Sequence, residues 1–109
     1  MKSYQKAIYE ILGRGVIAYH ASLAKALGSA KAGIFVGQLL YWYGKGRKGE
    51  WIYKTIKEMQ EETYLSRREQ EGAIKIAKEK GVLEVRLLGI PAKRHFRIDI
   101  NKLVMLIRK

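Results

Sequence analysis

The segment from Ser66 to Lys80 carries Arg67, Arg68, Glu71, Lys75 and Lys78 at helical spacing. A second segment concentrates Arg86, Lys93, Arg94, His95 and Arg97, with Glu84 alone to oppose them before Asp99. Neither set suits covalent or acid–base work. Asp99 is the only aspartate, there is no cysteine, and His20 and His95 have no ligand spacing and no acid or serine partner. A histidine-pair relaxase needs His-x-His, which is absent. No metal site, no cofactor and no enzyme activity are therefore expected. What these residues do well is bind polyanions. Arginine presents a planar fork of donors that matches guanine O6 and N7, and lysine places a point charge against phosphate. A helix start near Ser66 adds free backbone N–H groups that favour a phosphate.

The elements that hold these residues are legible. Thr55 with Glu58, and Ser66 with Glu69, repeat the capping-box signature, in which a hydroxyl and a carboxylate each satisfy a backbone N–H. Two such boxes close together bracket one short helix and open a second, with the turn around Thr63 to Leu65. The second helix is expected from Arg67 to about Lys80, ended by Gly81. Val82 to Leu88 and Lys93 to Ile100 read as strands, with Gly89, Ile90 and Pro91 as their turn. Earlier in the chain, Tyr4, Ala7, Ile8, Ile11 and Leu12 mark an amphipathic helix stopped by Gly13 and Gly15. Val16 to Tyr19 is a strand candidate. Ala21 to Leu27 reads as a helix ended by Gly28, and Ser29 caps a helix to about Tyr43 that is apolar nearly all round, as a buried central helix is. Gly44 to Glu50 is a basic loop, Trp51 to Lys54 a short strand, and Asn101 the cap of a last helix with Leu103, Val104, Leu106 and Ile107.

At 100° per residue, Gln70, Ala73, Ile74 and Ala77 face the core from the second helix, while Arg68, Gly72, Lys75 and Glu79 face outward, with Glu71 close by. Arg67 and Lys78 lie on a flank. Arginines in the first turn of an exposed face are what major-groove reading requires. A plain solvated helix is the competing interpretation, supported by the pairs Glu71–Lys75 and Lys75–Glu79. Mid-helix, Gly72 either allows close approach to a groove wall or is an ordinary surface glycine. The hairpin shifts the balance towards nucleic acid. If Val85 stands opposite Phe96, Glu84 faces Arg97 and Arg86 faces His95, so that Arg97 is committed to a cross-strand pair. Arg86, Lys93 and Arg94 are then the phosphate contacts. Lys54, Lys45, Arg47 and Lys48 are further candidates for the DNA backbone. Trp51 and Tyr53 alternate and can share a face, but most aromatics are read as core or core-edge. None lies on the reader face, which argues against RNA.

The chain is 109 residues long, 48% hydrophobic, with 22 Lys+Arg against 10 Asp+Glu and a formal charge of +12. That size is expected for one domain, residues 1–109. The charge favours nucleic acid first and an anionic membrane second. No apolar run reaches the length of a membrane span, and the N-terminus lacks a signal peptide's apolar region, so a cytoplasmic protein is expected. The order of elements describes an α+β winged helix-turn-helix, mostly helical, with a C-terminal hairpin wing and an extra helix at each end. The terminal helices, Tyr4 to Leu12 and Leu103 to Ile107, have apolar faces that suit a homodimer reading two half-sites about one DNA turn apart.

AGIFVGQLLYW (32–42), WIYKT (51–55), LSRREQEGAIKIAKEKGVLEV (65–85) and GIPAKRHFRI (89–98) together resemble the winged-helix domain of phage replisome-organiser and replication-initiator proteins, which are related to the N-terminal domain of DnaD-type primosome proteins. The resemblance covers Val16 to the C-terminus. It implies binding of double-stranded origin DNA, with Ser66 through Lys80 as reader helix and Arg86 through Arg97 as wing, and replication proteins as further partners. Ala77 and Lys80 depart from the larger apolar residues expected late in that helix. A small viral or plasmid transcription regulator, or a winged helix turned protein-interaction module, fits the same pattern of elements.

Overall fold

Capping residues, glycines and apolar periodicity lay out the computed structural model, which describes residues 3–13, 15–43, 45 and 51–109. In chain order the elements are α1 (Ser3–Leu12), α2 (Ala21–Leu27), α3 (Ala30–Trp42), β1 (Trp51–Tyr53), α4 (Ile56–Thr63), α5 (Arg67–Glu79), β2 (Leu83–Leu88), β3 (Lys93–Ile98) and α6 (Ile100–Arg108). The fold is α+β and mostly helical, with one antiparallel sheet in the order β1-β3-β2. Both capping boxes form. The turn between them is made by Tyr64, whose φ of 60° is the left-handed conformation that ends α4.

The central helix is α3. Phe35, Val36 and Leu39 are fully buried, and Phe35 meets Phe96 edge-to-face with ring centroids 5.5 Å apart. Burial of one such side chain contributes roughly 2–3 kcal/mol. Gly33 lets α2 and α3 touch, since a Cβ there would stand 2.9 Å from the Ala24 Cα. On the other side of α3, Ala73 and Ala77 seat α5, and their small side chains permit close helix packing. The register is Val85 opposite Phe96, Glu84 opposite Arg97 and Arg86 opposite His95, which are the expected pairs. Gly89, at φ 90°, turns the hairpin where a side chain would be strained.

Four local expectations are corrected. Val16 to Tyr19 runs as irregular chain, not a strand. The second hairpin strand stops at Ile98, because Asp99 caps α6 by accepting from the Lys102 N–H at 3.0 Å; Asn101 lies inside that helix. Its apolar face is only partly to spare, since Leu103 is buried and Ile100 and Leu106 pack against the core while Ile107 stays exposed. By contrast, α1 buries no residue and leaves Tyr4, Ile8, Ile11 and Leu12 exposed. No helix of the described residues is long and apolar enough to cross a membrane.

Candidate nucleic-acid interface

Helix α5 starts where Ser66 Oγ accepts the Glu69 N–H and Glu69 Oε1 accepts the Ser66 N–H. Of the first-turn donors, the N–H groups of Arg67 and Arg68 keep no protein acceptor among the described residues. The Ser66 hydroxyl itself is taken by its cap. Glu69 also meets Lys31 of α3 at 2.8 Å, and this hydrogen bond, followed by that of the Ser66 backbone, holds its carboxyl down at about 2. The start of α5 is thereby tied to the start of α3.

Arg67, Arg68, Glu71, Lys75 and Lys78 all lie exposed. Arg67 Nε pairs with Glu71 at 3.5 Å, an exposed contact of at most a few tenths of a kcal/mol that a phosphate can displace. The Glu71–Lys75 and Lys75–Glu79 pairs of the competing interpretation do not form among the described residues, and Glu71 pairs with Arg67 instead. Arg68, Lys75 and Lys78 thus face solvent without an ion-pair partner in that set. Gly72, on the same face, has nothing within 4 Å of a Cβ built on it.

Two of the expected backbone contacts are engaged within the protein, Lys54 buried and Arg94 half-buried. Lys54 is 6% exposed, with its ammonium bonded to the Glu62 carboxylate and lying 4.0 Å from the Trp42 ring centroid. Glu62 also accepts from Gln38 at 2.6 Å and Trp42 at 2.9 Å. Burial raises the Glu62 pKa, but these hydrogen bonds outweigh it and hold the carboxyl below its ordinary value. The parity of the strand explains the placement: Ile52 points inward, and Lys54 follows two residues later.

Arg94 is corrected on the same grounds. It shares the inward parity of Phe96 and Ile98, and its Nε donates to the Lys54 carbonyl at 3.1 Å while Nη2 donates to Gln70 Oε1 at 2.9 Å. Gln70 is fully buried, and its amide donates to the carbonyls of Ile56 and Leu65 at 3.0 and 2.9 Å. Five chain segments meet in this one network: β3, the end of β1, the start of α4, the turn and α5. Burial lowers the Arg94 pKa, with the Glu71 charge opposing and the Arg67 charge adding to the shift. Arg94 therefore fixes the hairpin to α5. The sequence placed Gln70 on the core face but did not single it out, although a polar residue on an apolar stripe demands buried partners.

The remaining hairpin cations take the opposite parity. Arg86, Lys93, His95 and Arg97 lie on the outer face of the sheet. Glu84 bonds Arg97 at 3.1 Å, the expected cross-strand pair, and also meets Arg86 at 3.5 Å. Trp51 and Tyr53 join them on that face, Trp51 half-buried and Tyr53 39% exposed, so neither is a core residue. Lys45 is exposed, with its ammonium 4.4 Å from the Tyr41 ring. Arg47 and Lys48 lie outside the described residues. Comparisons of the chain with protein-family models, with curated proteins and with solved structures found no match.

Proposed function

We propose that this protein binds double-stranded DNA as a winged helix, with α5 in the major groove and the β2–β3 hairpin as the wing. The observation that carries this reading is the outward face of α5. Arg68, Lys75 and Lys78 stand there without an ion-pair partner among the described residues, next to uncapped N–H donors and an open glycine. A solvated helix would gain from internal ion pairs, and this face has only the loose Arg67–Glu71 contact. Arg67, Arg68 and Lys75 contact base edges or groove phosphates. Arg86 and Lys93 contact phosphates from the wing, with Arg94 positioning it. The resemblance of the motifs to phage replication initiators makes replication initiation or replisome organisation the process this binding serves. The uncovered apolar face of α1 is the surface through which a homodimer would read two half-sites.

The test is fluorescence anisotropy on random and selected duplexes across a salt series. The expected result is duplex binding with a log–log salt slope of roughly −4 to −7, reporting about that many neutralised phosphates. Arg68→Ala should cost ~1–3 kcal/mol on a preferred site and narrow the gap to random DNA. Absence of duplex binding at moderate salt would overturn the reading.

A further inference from the structure

The outer face of the sheet is a second surface, distinct from the α5 face. Strand alternation sends Trp51 and Tyr53 of β1 outward together with Lys93, His95 and Arg97 of β3 and Arg86 of β2. Two rows cross all three strands: Trp51–Arg97–Glu84 and Tyr53–His95–Arg86. The rings and cations are already stacked on one another. The Arg86 guanidinium lies 4.6 Å from the Trp51 ring centroid and that of Arg97 6.0 Å. The Tyr53 and His95 ring centroids lie 5.2 Å apart at an interplanar angle of 30°, and the Lys93 ammonium is 5.5 Å from the Tyr53 centroid. The opposite face, with Ile52, Phe96 and Ile98, is the one buried against the helices.

We infer that this face is a binding platform for single-stranded nucleic acid. Flat rings and guanidinium planes offer stacking to the π-faces of bases, and cations beside them meet the phosphates. Trp51 and Tyr53 are about 6.6 Å apart along the strand, a distance that one nucleotide of extended backbone bridges. In a duplex those π-faces are consumed by neighbouring bases, so this surface selects unpaired strands. The one carboxylate in the two rows, Glu84, is held by Arg97 and Arg86. Stacking does not distinguish ribose from deoxyribose, so both sources are compared directly.

The experiment titrates the full chain with oligo(dT) and oligo(U) of about fifteen nucleotides, within the span such platforms bind, and follows tryptophan fluorescence. The chain has two tryptophans, Trp42 and Trp51, and loss of the quenching in Trp51→Ala assigns the signal to Trp51. Quenching by one or both oligomers, but not by blunt duplex, is expected. Trp51→Ala and Tyr53→Ala should each weaken single-strand binding roughly five- to a hundred-fold, while Tyr53→Phe retains it. If Trp51→Ala does not fold, Tyr53→Ala, at a more exposed position, decides alone. A folded protein that shows no quenching, or a Tyr53→Ala variant that binds as tightly as wild type, would overturn the inference. So would a loss of single-strand binding in Arg67→Gln/Arg68→Gln with none in Tyr53→Ala, because that would put the strand on α5. Arg86 and Lys93 also belong to the proposed wing, so duplex affinity is measured in parallel on the same variants; Tyr53→Ala should leave it unchanged, which separates this inference from the duplex reading.

Discussion

The two cationic surfaces of this molecule are built on different periods. On α5 the 3.6-residue repeat gathers Arg68, Gly72 and Lys75 into a narrow convex strip with no aromatic ring. On the sheet the two-residue repeat spreads Arg86, Lys93, His95 and Arg97 over a flat face that holds Trp51 and Tyr53. A convex strip suits a groove, whereas a flat aromatic face suits bases that have left the helix. The contrast shows that net charge alone does not define a binding mode; the element presenting the charge sets the shape of the partner it can meet. Between the two surfaces stands the Arg94–Gln70 network, whose charged and amide groups are spent on holding the hairpin against α5.

The strongest way to break the comparison is to remove that network. Gln70→Leu keeps the volume but leaves the Ile56 and Leu65 carbonyls and an Arg94 Nη without partners, at an expected cost of about 3 kcal/mol in urea denaturation. Lys93→Ala, on the outer face, should change stability by less than about 0.5 kcal/mol. Equal effects would mean that the inner position carries no special burden. Next in size, Lys75→Ala should reduce duplex affinity by up to about 1 kcal/mol and flatten the salt slope by about one unit if Lys75 holds a phosphate. Oligo(dT) affinity should be unmoved.

Gly72→Ala sharpens the α5 side. Its Cβ enters open space, so helix propensity should stabilise the protein by ~0.5–1 kcal/mol in thermal unfolding. A simultaneous loss of duplex affinity would show that the glycine serves close approach to a groove wall, and unchanged affinity would make it an ordinary surface residue. The smallest effect concerns Glu69. Its carboxyl is held at about 2 against an ordinary 4.5, chiefly by Lys31. A depressed carboxylate contributes stability that is present above pH 4.5 and lost as pH falls through about 2. In Lys31→Ala the Glu69 titration, followed by NMR, should move back towards 4.5, and the acid limb of unfolding should flatten.

Much of the fold was legible because its signals are local. Both capping boxes, the Gly28 and Gly81 helix ends, the hairpin turn and the register of Val85 against Phe96 each depend on residues a few positions apart. The boundary errors share one cause. At Asp99 and Asn101 two residues could each cap a helix, and only the backbone path off Ile98 selects Asp99. The candidate site was less legible. Arg94 and Lys54 read as surface cations because both are long and charged, yet strand parity was already pointing them inward.

By itself, the sequence determined the order of the helices and of the hairpin strands, the pairing of the hairpin and the basic exposed face of α5. These follow from short-range sterics, hydrogen bonding and composition, which need no distant partner. The tertiary structure alone decided which cations are spent and which face solvent. Lys54 is buried and Arg94 half-buried, with Glu62, Trp42 and Gln70 arriving from other elements to compensate the charge or satisfy its donors. It also decided that Trp51 and Tyr53 share an open face with Arg86 and His95, since only strand pairing between β1, β3 and β2 brings residues so far apart in the chain into one row.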